Sequence, residues 1–240
     1  MKNLTYIGLS QQMALYNQMD MTANNIANMN TPGFKSQSLL FKEYLNKTPS
    51  DTGDKISQVQ NYGAYRNTAQ GPLTQTSNKL DVAIQGSGYF AVQTPQGTQY
   101  TRNGSFSLNA NGEIVTQSGN QVLGTSGPLT VQQGASQINI MADGEVSTDK
   151  GTIGTLKLVS FSNEQALSPV GNSLYDAQQA VPVPVDKPHV MQGMLEGSNV
   201  QPITEMNRML NITRMYQSVQ HMLTTDHDEQ RTMIQHLTQA

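Results

Sequence analysis

The sequence predicts an α+β fold, with a long amphipathic helix at each end and a mainly antiparallel β-sandwich or barrel-like domain between them. Three observations carry that expectation. Apolar residues recur at helical spacing near both termini, short apolar–polar alternations fill the middle, and glycine- or proline-containing turns separate those alternations.

Over residues 4–28, Leu9, Met13, Tyr16, Ala23 and Ala27 follow steps of four and three, broken at Asp20. Leu15, Met19 and Ile26 form a second stripe beside them, so the helix presents a broad apolar face. Pro32 and Gly33 end the run, because proline lacks the amide donor and glycine favours a turn. Residues 36–79 read as a connecting arm, and within it the polar, aperiodic stretch 48–61 reads as a loop or weakly ordered arm.

The β-rich domain is expected over residues 80–192. Residues 80–84 and 89–94 are strand-like runs split by Gly86, Ser87 and Gly88, read as a hairpin turn. Pro95 to Gly97 then turn the chain into residues 99–102. Hairpins are expected across Asn109 to Gly112 and across Asp143-Gly144, where residues tolerant of positive φ join alternating runs. Residues 153–162 read as one longer strand burying Ile153, Leu156, Leu158 and Phe161. Pro182, Pro184 and Pro188 mark an extended return.

Residues 193–240 form the last segment, with a helix of about 35 residues opening at Pro202, where a missing N–H costs little. Met206, Met209, Thr213, Tyr216, Leu223, Ile234 and Leu237 follow the four-three spacing, with Leu210 beside them. A β-domain in mid-chain cannot cover the apolar faces of both terminal helices. They are expected to pair with each other or with other copies as coiled coils, and to stay largely disordered until they do, since isolated helices are marginal in water.

Composition narrows the function classes. Charged residues are 13% of the chain, hydrophobic residues 36%, and the net charge is −3. A charge-poor surface suits burial against other proteins and equally an ordinary secreted β-protein; no basic cluster is present to neutralise phosphates, so no nucleic-acid partner is expected. The chain has no cysteine, which removes disulfide, thiol and thiolate-metal chemistry. No apolar run is long enough for a secretory signal or a membrane span, so neither a cleaved leader nor membrane insertion is expected.

Catalytic motifs are weak. Gly86, Gly88 and Ala91 fit a G-x-G-x-x-A pattern, but a strand-like run follows where a helix would be needed to bind a pyrophosphate. Asp81, Glu113, Asp143 and Glu145 raise a wall-hydrolase reading, which needs two carboxylates facing one cleft; Asp143 and Glu113 sit at turns. His189, His221, His227 and His236 form no ligand set. No catalytic residue, cofactor or metal is expected.

Four segments resemble the flagellar rod and hook protein family: residues 23–35 (ANNIANMNTPGFK), 80–90 (LDVAIQGSGYF), 100–115 (YTRNGSFSLNANGEIV) and 193–200 (GMLEGSNV). Their order spans nearly the whole chain, and the short connection before residue 80 resembles the proximal-rod type more than the distal-rod or hook type. The resemblance implies export by the flagellar type III apparatus without a cleaved signal. It implies polymerisation in the periplasm with copies of itself and neighbouring rod proteins, and a helical tube that transmits torque. It also implies that Asn24, Asn25, Ile26, Ala27 and Asn28 contact neighbours where the first helix ends. Together with Leu9, Met13, Tyr16, Met19, Ala23, Met206, Met209, Leu210, Thr213, Tyr216, Leu223, Ile234 and Leu237 they form the expected assembly interface. Glu196 and Asn199 are expected to shape the turn into the last helix.

Overall fold

The computed structural model describes residues 2–47, 55–135 and 137–239. The chain divides into two compact units, residues 1–27, 37–67 and 201–240 in one, and 28–36 and 68–200 in the other.

The first unit holds both terminal helices. Helix α1 (Lys2–Ala27) gives way to turns, with Gly33 at φ +70°. A long antiparallel hairpin follows, β1 (Gln37–Lys47) with β2 (Lys55–Arg66), in register from Gln37 opposite Arg66 to Lys47 opposite Lys55. A bulge falls between Leu40 and Phe41, and both strands pack on α1. The expected loop over 48–61 is corrected here: residues 55–61 belong to β2, while 48–54 lie outside the described residues. Gln58, Gln60 and Asn61 hid the strand, because a backbone ladder needs no apolar alternation to form. Helix α2 (Pro202–Gln239) runs for 38 residues.

The helices meet along Leu15, Ile212 and Val219, flanked by Met19, Tyr216 and Leu223. Gly8 permits close approach, since a Cβ there would lie 2.6 Å from Leu223 Cδ2. One of the two expected α1 stripes, that of Leu15 and Met19, is therefore housed within a single chain. The expected pairing of the terminal helices with each other thus accounts for this stripe, while Leu9, Met13 and Tyr16 of the other stripe are exposed.

The second unit is built from short strands: β3 (Leu73–Gln75), β4 (Val82–Ile84), β5 (Tyr89–Thr94), β6 (Gly97–Thr101), β7 (Phe106–Leu108), β8 (Ile114–Thr116) and β9 (Gln121–Gly124). They continue through β10 (Gly127–Pro128), β11 (Ile138–Ile140), β12 (Glu145–Thr148), β13 (Gly151–Thr155) and β14 (Leu158–Ser160). The set ends with β15 (Ser168–Gly171), β16 (Leu174–Asp176), β17 (Val183–Pro184), β18 (Val190–Gln192) and β19 (Met194–Glu196). The largest sheet runs β15-β16-β6-β5-β9-β8-β7 and stays open at both ends, so the domain is not a closed barrel. Strand pairs among the described residues are antiparallel, including the β7–β8 and β11–β12 hairpins.

Strand β5 is buried on both faces. Phe90 and Val92 enter the larger core with Val82, Ile114, Val122 and Val146, while Tyr89 and Ala91 enter an aromatic cluster with Tyr100, Phe161 and Tyr175. The strand's period of two sends alternate residues into the two cores. Two strand expectations are corrected. Residues 153–162 are not one strand, because β13 and β14 lie in different sheets. Gly86, Ser87 and Gly88 are not a hairpin turn, because β4 pairs with β18 while β5 pairs with β6, β9 and β14.

Backbone crowding marks Gly104, where a Cβ would sit 1.6 Å from the Val82 carbonyl oxygen, whereas a Cβ on Gly63 would meet nothing within 4 Å. Gly104→Ala is expected to lower the urea stability of the chain by ~1–3 kcal/mol or more, and Gly63→Ala by no more than ~0.5 kcal/mol.

Candidate assembly surfaces

On α1 the first stripe points away from α2. Leu9, Met13 and Tyr16 are 50%, 61% and 59% exposed, and Tyr6, which the sequence reading passed over, extends the row. Ala23, Asn24 and Ala27 are also exposed, and Met19, Ile26 and Asn28 are half-buried. On α2, Met206, Leu210 and Ile234 are exposed, while Met209, Thr213, Tyr216 and Leu223 are half-buried. The Leu237 side chain lies outside the described residues. Single exposed apolar residues are ordinary, whereas Tyr6, Leu9, Met13 and Tyr16 form a row at three-four spacing on one helix. Ile203, Met215, Met222 and Met233 are further exposed apolar residues on α2 that the spacing rule did not select.

Asn25 departs from its expected role. It is 1% exposed, and its amide is spent inside the unit. Its Nδ2 donates to the Gln37 carbonyl at 2.8 Å, and its Oδ1 accepts the Gln37 N–H at 2.9 Å. Nδ2 also reaches Glu205 Oε2 at 3.4 Å. A primary amide can satisfy both backbone groups of one residue at once. Asn25 therefore pins the start of β1 to α1 and is corrected from neighbour contact to internal clamp.

In the second unit the four family-like segments are joined through Glu196 and Arg102. Lys35 Nζ donates to Glu196 Oε1 at 2.5 Å and to the Ala69 carbonyl at 2.8 Å. Arg102 Nε donates to Glu196 Oε2 at 2.6 Å, and the Gly71 N–H reaches Oε1 at 3.1 Å. The rest of the Arg102 guanidinium donates to the carbonyls of Ile84, Gly86 and Gly88. The Glu196 carbonyl accepts the Gly33 N–H at 2.8 Å. All three charged side chains are buried. Burial pulls the Lys35 ammonium below its ordinary range, and Glu196 opposes that shift.

Glu196 and Asn199 were expected to act locally, at the turn into the last helix. They bind at long range instead. Asn199 accepts the Ser36 N–H at 2.8 Å and donates to the Ala69 carbonyl at 2.9 Å. Lys35 and Arg102 went unread as functional residues. Their signal was available: in a chain so poor in charge, the four quoted segments carry only five ions, Lys35, Asp81, Arg102, Glu113 and Glu196.

The acids weighed for catalysis are held at turns or in the wall of the domain. Glu113 accepts from Asn109 Nδ2 at 2.6 Å and from Gln121 Nε2 at 2.7 Å, which holds its carboxyl below the usual range. A glycosidase acid needs the opposite shift. Asp81 accepts from Asn78 Nδ2 at 3.0 Å, and Asp143 accepts the Glu145 N–H at 3.0 Å. Among the described residues no cluster of three His, Cys, Asp or Glu side chains could hold a metal, and no helix is long and apolar enough to cross a membrane.

Known proteins match along the length of the chain. Residues 6–35 match the family described as Flagella basal body rod protein, residues 83–148 the Flagellar hook protein FlgE/F/G D1 domain, and residues 191–236 the Flagellar basal body rod FlgEFG protein C-terminal family. The flagellar basal-body rod protein FlgF of Caulobacter vibrioides is 38% identical, covering 99% of this chain and 98% of its own length. FlgF of Rhizobium meliloti is 38% identical over 89% of each chain. The flagellar basal-body rod protein FlgG of Caulobacter vibrioides is 33% identical over 86% of this chain and 88% of its own.

Glu196→Gln leaves two buried cations without their counter-charge. A loss of ~3–5 kcal/mol in urea stability is expected; an unchanged midpoint would show that the cluster does not hold the segments together.

Proposed function

The chain belongs to the flagellar basal-body rod protein family, and on that premise we propose that it enters the rod through the outward stripe of α1 together with the exposed residues of α2. It is a structural subunit of the flagellar basal body that assembles with other rod proteins, and it is not an enzyme. The observation that carries the assembly route is the row Tyr6, Leu9, Met13 and Tyr16, left exposed while the neighbouring stripe is covered by α2.

Within this reading the terminal helices pack against those of adjoining subunits as a coiled-coil layer. A repeated interface whose rotation does not close builds an open helical assembly, which is the form a torque-bearing tube requires. The internal seam of Leu15, Ile212 and Val219 is short for helices of 26 and 38 residues. The helices therefore gain most of their order on assembly. A proximal-rod position fits the FlgF relatives, which this chain matches over more of its length than the FlgG relatives. Export as an unfolded chain by the flagellar apparatus, without a cleaved signal, fits the absence of cysteine, since a stray thiol would pair wrongly in an oxidising periplasm.

Met13→Glu and Leu9→Glu place a charge in the stripe without touching the α1–α2 seam. Both are expected to abolish motility and recovery of the chain in purified basal bodies while the urea midpoint stays within ~0.5 kcal/mol of the parent. Normal motility with either variant would move the interface elsewhere. Hydrogen exchange on the isolated chain should show weak protection over residues 4–28 and strong protection in β5; equal protection would refute ordering on assembly.

A further inference from the structure

With 13 methionines and neither cysteine nor tryptophan, thioether sulfur is the readiest target in this chain for a two-electron oxidant. The sulfurs are unevenly placed. Met13 on α1 and Met206, Met215, Met222 and Met233 on α2 are exposed, and among the described residues only Met141 joins them. Met19 is instead half-buried beside the helix seam, with Thr213 Oγ1 3.9 Å from its sulfur. Met215, Met222 and Met233 are spaced by seven and then eleven residues. Both spacings are close to whole numbers of turns at 3.6 residues each, so the three thioethers line one face of α2. Met13 lies inside the exposed α1 row, and Met206 lies between exposed Ile203 and Leu210.

We infer that these five methionines are a set of reversible oxidation sites through which peroxide-class oxidants withhold the subunit from the rod; this rests on the assembly route proposed above. A sulfur lone pair takes one oxygen from hydrogen peroxide, the O–O bond breaks, the thioether becomes a sulfoxide, and the other oxygen leaves as water with both protons. A dithiol-dependent sulfoxide reductase reverses the step, yielding thioether, water and a disulfide on the reductase. The change turns a flexible apolar side chain into a polar one that must be buried without a partner when the face is covered. Leu15, Ile212 and Val219 carry no sulfur and Met19, the one thioether packed against them, is half-buried, so the effect falls chiefly on the outward faces.

The test doses cells that are building rods with hydrogen peroxide and recovers the full-length chain from the basal bodies and from the unassembled pool. Mass spectrometry then reads sulfoxide at each methionine. The expected result is sulfoxide at the five positions enriched about tenfold in the unassembled pool, equivalent to ~1.4 kcal/mol against assembly, with Met19 evenly distributed. Methionine sulfoxide reductase expressed in the same compartment should erase the enrichment. A variant with all five changed to Leu, compared with itself with and without peroxide, should give a recovery ratio near one where the parent's falls. Equal sulfoxide content in the two pools, or a variant as peroxide-sensitive as the parent, would overturn the inference. Failure of the assembly route would show separately, as normal incorporation of the Met13→Glu chain without any oxidant.

Discussion

A single buried carboxylate organises the β-domain. Glu196 faces Lys35 and Arg102 with both oxygens, and its backbone carbonyl takes the Gly33 N–H. Through these contacts, segments 161 and 94 residues away from Glu196 in the chain are fixed to it. Arg102 extends the cluster by capping the carbonyls on either side of Ser87, which join β4 to β5. A buried cluster of two cations and one anion is a poor way to gain net stability, because desolvation offsets most of the Coulomb attraction. Its value is directional. Apolar packing tolerates slippage, whereas a carboxylate with two oxygens and two dedicated cations accepts one arrangement.

Gly33 shows how tightly the rest conforms to that arrangement. It holds φ +70°, and a Cβ there would come within 2.6 Å of the Arg102 carbonyl carbon. A bulkier residue would push the turn after α1 away from Arg102, the residue that follows β6. Asn199 repeats the theme with neutral groups, bridging Ser36 and Ala69. The glycine-rich, amide-rich segments that carry the family resemblance thus include several places where backbone must approach backbone, at Gly33, Gly104 and Gly112.

The helical unit divides its apolar surface. One α1 stripe closes on α2 through a small seam, and the other stays in water. A monomer that covered both would have no surface left to offer. One that covered neither would have little to hold its helices near each other before assembly. Asn25 adds a polar lock between α1 and the start of the β1–β2 hairpin.

The sequence by itself determined the two terminal helices, the Asn109–Gly112 and Asp143-Gly144 hairpins, the strands around Tyr89 to Thr94 and the family. These depend on local periodicity, turn chemistry and motif spacing, all of which are written along the chain. Strand β2 escaped notice because its polar residues carry no period, and the break between β13 and β14 escaped notice because a continuous apolar run does not show where pairing changes sheet. Only the tertiary structure decided that Asn25 faces inward, that one stripe is covered while its neighbour is exposed, and that Lys35, Arg102 and Glu196 meet. Those outcomes depend on which distant segment arrives beside a residue, and a residue's own neighbours in sequence carry no record of that.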